Sequence, residues 1–135
     1  MTSARKIAVY AHVKVMVSDF HRSKDFYDRL MKAMGYRRMV IHDWDHYPGW
    51  GTHGTDFWIE KASPGRFSEN KPGLHHIAFS APSRAAVDRL GRWLKTQKIH
   101  VITGPRLFPE YTRGYYAIFF RDPDGIRLEY AHIPQ

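Results

Sequence analysis

Valines at 13, 15 and 17 alternate with His12, Lys14 and Met16, and a period of two predicts a β-strand. The period then lengthens. Phe26, Leu30 and Met34 recur every four residues with Tyr27 beside them, which predicts a helix. Ser18 or Asp19 supplies the short oxygen-bearing side chain that caps the free amides of its first turn, and Gly35 supplies the stop. The same design returns further on. Ile77 and Phe79 alternate with His76, Ala78 and Ser80; Ser83 is a cap; Ala86, Val87, Leu90 and Leu94 make an apolar helical stripe. Short strand-like runs follow each helix. They are Tyr36–Ile41 and Thr55–Lys61 in the first half, around an irregular loop from His42 to Gly54. In the second half they are His100–Thr103, Tyr115–Arg121 and Ile126–Ala131, with "RDPDG" as a hairpin turn.

Each half therefore reads as one strand, one helix and then strands, joined by the turn-rich "EKASPGRFSENKPG". Module one spans about 7–63, the linker about 64–72 and module two about 73–135. A half of this size buries too little apolar surface to stand alone, so the two are expected to pack together.

Composition narrows the class. The chain has 135 residues, 43% hydrophobic and 15% aromatic, enough for a real core. No apolar run approaches the roughly 20 residues that span a bilayer, and "MTSARKIAVYAHVKVMV" reads as a strand rather than a secretion signal. There is no cysteine, which excludes disulfides, thiolate nucleophiles and thiolate metal sites. A cytoplasmic protein is the simplest expectation. The net charge of +8 comes from scattered residues rather than a run, so we expect a basic surface that favours anionic small molecules and no nucleic-acid partner.

Four residues stand at matching places. His12 and His76 open the first strand of each half, and Glu60 and Glu129 close the last. Strand parity puts Val13, Val15 and Val17, then Phe57 and Ile59, on the face that meets a helix. Ile77 and Phe79 take that face in the second half, with Ile126, Leu128 and Tyr130. All four candidates fall on the opposite face. By the same parity His75 points back toward the helix layer or the rim. Two imidazoles and two carboxylates form a mixed nitrogen and oxygen set suited to a divalent first-row metal.

Three stretches, "HVKVMVSDFHRSKDFY", "GLHHIAFSA" and "FFRDPDGIRLEY", resemble the vicinal oxygen chelate superfamily. That superfamily holds glyoxalases, epimerases, extradiol dioxygenases, fosfomycin-modifying enzymes and bleomycin-resistance proteins, and the resemblance covers nearly the whole chain. It implies an α+β fold of two βαβββ modules forming an open, cup-shaped mixed sheet with helices on the outer face. It also implies one divalent ion (Zn, Ni, Co, Mn or Fe(II)) held by His12, Glu60, His76 and Glu129. If Glu60 does not ligate, two histidines and one carboxylate remain, a set that suits a non-haem iron oxygenase or a manganese-dependent transferase.

The activity implied is that of a glyoxalase-type lyase or isomerase, moving a proton through a metal-stabilised enediolate, with Glu129 or Glu60 as the base. The alternatives are a binding or antibiotic-resistance protein and a single-domain Fe(II) dioxygenase. Substrate contacts are expected from Trp44 and Trp50 as an aromatic lid, with His46 and Tyr47 beside them, and from Tyr111, Arg113 and Tyr115 near the mouth. Lys14 shares the parity of His12 and needs an anion or an internal carboxylate beside it. Relatives commonly pair, and an open sheet leaves edges exposed, so a homodimer is expected.

Overall fold

The structure is a computed structural model and describes residues 9–134. The start of the expected first module, with the first eight residues of "MTSARKIAVYAHVKVMV", lies outside the described residues. The chain divides into two compact units, one ending at Pro64 and the other beginning at Gly65. Among the described residues two helices and seven strands form two mixed sheets, an α+β fold. No helix there is long and apolar enough to cross a membrane.

In the first unit, β1 (His12–Val17) leads into α1 (Phe20–Met34), then β2 (Gly49–Thr52) and β3 (Thr55–Lys61). Asp19 is the cap: its carboxylate accepts the Arg22 amide at 3.1 Å. Gly35 ends the helix at φ 88°, a conformation glycine adopts at little cost, and its amide donates back to the Lys32 carbonyl. The sheet order is β1-β3-β2, with β1 parallel to β3 and β2 antiparallel to it. Val15, Val17, Phe57 and Ile59 are buried, as are Phe26, Tyr27, Leu30, Met31 and Met34 of α1. The expected parity of β1 and β3 holds.

Tyr36–Ile41 is not a strand. It makes a single bridge, Arg38 to Trp50, with the Met39 amide donating to the Gly49 carbonyl and the Gly51 amide to that of Arg37, while the Arg38 side chain clasps the Asp28 carboxylate of α1 at 2.9 and 2.6 Å. The missing strand is β2, hidden in "GWGT" inside the stretch expected to be irregular. Gly49 is required there. A Cβ on it would meet the Trp58 ring at 2.2 Å, since Trp58 lies directly across the ladder.

The second unit runs β4 (Ile77–Ser80), α2 (Arg84–Thr96), β5 (Val101–Leu107), β6 (Tyr116–Arg121) and β7 (Arg127–His132). Ser83 caps α2, accepting the Ala86 amide at 3.1 Å. The order is β4-β7-β6-β5, with β4 parallel to β7 and the other pairs antiparallel. The "RDPDG" turn forms as expected: the buried Asp122 carboxylate accepts the amides of Asp124 and Ile126, both at 2.8 Å. Helix α2 packs on β5, β6 and β7, burying Val87, Leu90 and Leu94. Ile118 faces Tyr130 and Phe120 faces Leu128 across the ladder on one side. The other side carries a second apolar cluster, Phe108, Ala117, Phe119 and Ala131, with Ile102 and Tyr115 against it.

Candidate functional site

Glu129 lies in β7 opposite Phe119, on the side of the sheet that holds the Phe108–Phe119 cluster. It is only 1% exposed, and a carboxylate so buried requires partners. It has two. His76 Nε2 stands 3.1 Å from Oε1, and the Tyr115 hydroxyl donates to Oε2 in a very short bond. Burial, reinforced by the hydrogen bond to Glu129, pushes the Tyr115 phenol above its ordinary pKa, so the ring stays a donor. The other His76 nitrogen, Nδ1, faces His75 Nδ1 at 2.7 Å, one ring donating and the other accepting. The His76 ring is therefore held from both sides.

His75 does not point to the helix layer. β4 begins only at Ile77, so strand parity does not extend back to either histidine. His75 is exposed, with its ring edge-on to His76 at 5.0 Å between centroids.

The first unit arranges its candidates differently. His12 and Glu60 share a face, but His12 lies across from Asp56 and Glu60 across from Met16. Four residues of strand, roughly 13 Å, separate them. In the second unit Glu129 faces Ala78, two residues after His76; in the first, the residue facing Lys14, two after His12, is Trp58. Register thus gives Trp58, not Glu60, as the counterpart of Glu129. Glu60 instead accepts a hydrogen bond from Lys14 Nζ at 3.1 Å, which supplies the internal carboxylate that Lys14 called for.

Trp50 belongs to the core. It is 1% exposed, packs against Tyr27 and Phe57, and donates from Nε1 to Asp28 at 3.0 Å. Trp44 is half-buried, edge-on to Trp50, its Nε1 bonded to the Gly49 carbonyl and its face covered by the Arg38 guanidinium. The expected lid is thus the wall of the first unit's core. His46 and Tyr47 do reach solvent, lining with Asp19, His21, Glu60 and Lys61 a cleft of about 540 Å³ at the start of α1. Tyr111 and Arg113 are exposed, with Tyr111 stacked on Phe108 and edge-on to Tyr115.

Donor chemistry tests the fit of a metal. Two adjacent ligands at about 2.0–2.2 Å from an ion, set at right angles, stand about 3.0 Å apart. The 3.1 Å between His76 Nε2 and Glu129 Oε1 matches that spacing. His76 and Glu129 therefore fit as a pair of neighbouring ligands, with Tyr115 and His75 in the outer positions that orient such ligands. Among the described residues no group of three His, Asp or Glu side chains is gathered at one point.

Comparison with known proteins fits this fold. The family model of the glyoxalase/bleomycin resistance protein/dioxygenase superfamily matches residues 9–130, and the chain belongs to that superfamily. It is 28% identical over 122 residues to the uncharacterized protein YqjT of Bacillus subtilis (strain 168), covering 87% of this chain and 94% of that one. A candidate glyoxalase of Bacillus halodurans superposes with a TM-score of 0.75 at 24% identity, over 93% of this chain and 96% of its own. A glyoxalase/bleomycin resistance protein/dioxygenase domain of Frankia sp. EAN1pec gives 0.72 at 24% identity, over 96% and 100%.

Tyr115, expected as a substrate contact near the mouth, instead holds Glu129, and His75 is the site residue to which sequence reasoning gave no role in the site. The doubled "HH" was the signal for His75, once the strand is begun two residues later. For Tyr115 nothing local pointed to Glu129, fourteen residues away.

Proposed function

We propose that the chain is a divalent-metal-dependent enzyme acting on a small, anionic, oxygen-chelating substrate, a lyase or isomerase that works by proton transfer. The observation that carries this reading is the buried Glu129 carboxylate, held at Oε2 by Tyr115 and aimed at His76 through Oε1. Bound at this pair, a divalent ion supplies Lewis acidity that lowers the pKa of a C–H beside a chelated carbonyl. The chain's own residues do the rest. Tyr115 holds Oε2, which leaves Oε1 to the ion or, once displaced from it, to a proton. His75 sets the orientation of the His76 ring. Tyr111 and Arg113, exposed on the loop leading to Tyr115, offer an aromatic face and a guanidinium to the substrate. His12 enters this reading from the sequence, as a further nitrogen donor, and Glu60 remains the partner of Lys14.

One observation favours a second reading. With Glu60 engaged by Lys14, the proposed donors are two histidines and one carboxylate, a set that suits an Fe(II) dioxygenase as well. Turnover of catechols that requires oxygen and anaerobically loaded Fe(II) selects this second reading. Turnover of thiol adducts of α-ketoaldehydes without oxygen selects the first.

The test of the metal itself is its content in the purified protein. His76→Ala should strip the ion. His75→Ala should retain it with affinity lowered about 10- to 100-fold, as for other groups that orient a ligand. Equal and complete loss from both, or no loss from His76→Ala, refutes the assignment.

A further inference from the structure

Arg121 and Arg127 face each other directly across the β6–β7 ladder. Directly opposed side chains lie about 5 Å apart at Cβ, and like charges placed so destabilise a sheet. A carboxylate relieves the repulsion. Glu69, in the segment that precedes β4, accepts from Arg121 Nη1 at 3.0 Å and Nη2 at 3.4 Å, and lies 3.7 Å from Arg127 Nη2. The Gly125 carbonyl accepts from Arg121 Nη1 at 2.9 Å and fixes that guanidinium. Arg127 is less well served. Its Nε is buried and, among the described residues, donates to nothing. One carboxylate thus serves two guanidinium forks and leaves one buried donor over.

The location gives the pair a use. Arg127 and Glu129 are two residues apart on one strand, so they share a face about 7 Å apart. Phe119, paired with Glu129, and Arg121, paired with Arg127, extend that face. The arginines therefore lie one rung along from Glu129, on the side of the β6–β7 turn. Their planar forks match a carboxylate better than a point charge would.

We propose that Arg121 and Arg127 form a carboxylate-binding subsite beside Glu129, that Glu69 occupies it as an internal ligand, and that the carboxylate of a substrate displaces Glu69. The inference rests on the proposed site for its position only; the anion site itself needs no metal. Glu69 is tethered, so it competes at an effective concentration of the order of millimolar, and an external carboxylate must exceed that. An acidic substrate thereby frees the Glu69 segment on binding.

The test uses the metal-free full chain and butyrate, which carries a carboxyl on the same carbon stem as a glutamate side chain. Binding is read by NMR from the Arg121 and Arg127 Nε–H resonances. Glu69→Gln should tighten butyrate at least tenfold over the wild type, and Glu69→Gln with Arg127→Gln should abolish the gain. The double variant also removes the like-charge pair, so it folds at least as well as the single one. Failure of Glu69→Gln to tighten butyrate overturns the proposal, as does a gain that survives loss of Arg127. Inorganic phosphate binding more tightly than butyrate overturns the assignment to carboxylates. Because the protein is stripped of metal and the chelator is then dialysed away, none of these outcomes depends on whether His76 and Glu129 hold an ion.

Discussion

Tyr115→Phe removes one oxygen atom and leaves a ring of the same shape, which makes it the cleanest perturbation of the candidate site. Its hydroxyl is one of two partners of Glu129, whose side chain is 2% exposed. Solvent cannot replace the lost donor, so the discount that applies to exposed pairs does not apply here. A hydrogen bond to a charged group contributes about 1.5–3 kcal/mol, and the phenyl ring leaves no cavity to add to that figure. We expect a loss of about 2 kcal/mol in urea unfolding of the metal-free protein. For a chain of 135 residues this corresponds to a fall in melting temperature of roughly 7 °C. In the proposed metal site the same bond would orient a ligand oxygen, and loss of such a bond costs about 10- to 100-fold in metal affinity. Titration with a fluorescent zinc competitor reads that second effect. Unchanged stability and unchanged metal affinity in Tyr115→Phe would show that Glu129 does not depend on Tyr115, and the account of the site would fall. A stability loss with full metal affinity would leave the bond in place and remove Glu129 as a ligand.

Two further expectations concern the first unit. Gly49→Ala drives a methyl into the Trp58 ring, so unfolding by urea should show a loss of about 1–3 kcal/mol, largely recovered when Trp58→Val makes room. Asp28 is held below the ordinary carboxylate pKa mainly by the Arg38 fork, against the opposing effect of burial, with Trp50 lowering it further. A depressed pKa means stability that is present above the unfolded value of about 3.9 and lost as pH falls through the lower folded value. The Asp28–Arg38 pair is partly exposed and screened, worth about 1 kcal/mol or less, whereas Asp28→Ala also strands the buried Trp50 Nε1. Asp28→Ala should therefore cost about 2 kcal/mol at pH 7, Asp28→Asn about half of that, and both variants should show a flatter stability profile between pH 5 and 3. Equal losses from the two would mean that Trp50 gains nothing from Asp28.

The helices, β1, β3 and the closing turn were legible in the sequence because each rests on a local rule: a period, a cap or an Asp–Gly turn. Parity also placed Glu129 and His12 on the correct faces. Parity has a period of two, however, and cannot tell a residue from its neighbour two places along the same strand. That is why Glu60 looked like the counterpart of Glu129 until register put Trp58 there. Tyr36–Ile41 carries a strand-like composition, but its pairing with β2 stops at the single bridge of Arg38 to Trp50. The Arg121–Arg127 pair was invisible for a related reason. Six positions apart in sequence, the two read as scattered charge, and the β6–β7 turn is what makes them neighbours.

The strand order β4-β7-β6-β5 has a consequence for how the second unit comes into being. Its first strand has no partner among those that follow until β7 arrives, because β7 inserts between β4 and β6. A ribosome emits β4 well before β7, so β4 must wait as an unpaired edge while α2, β5 and β6 are made. Glu129 rides on the strand that closes the sheet, and His76 stands at the mouth of the one that waits. Their meeting is thus among the last events of folding. A half-made chain lacks the buried carboxylate of the finished sheet.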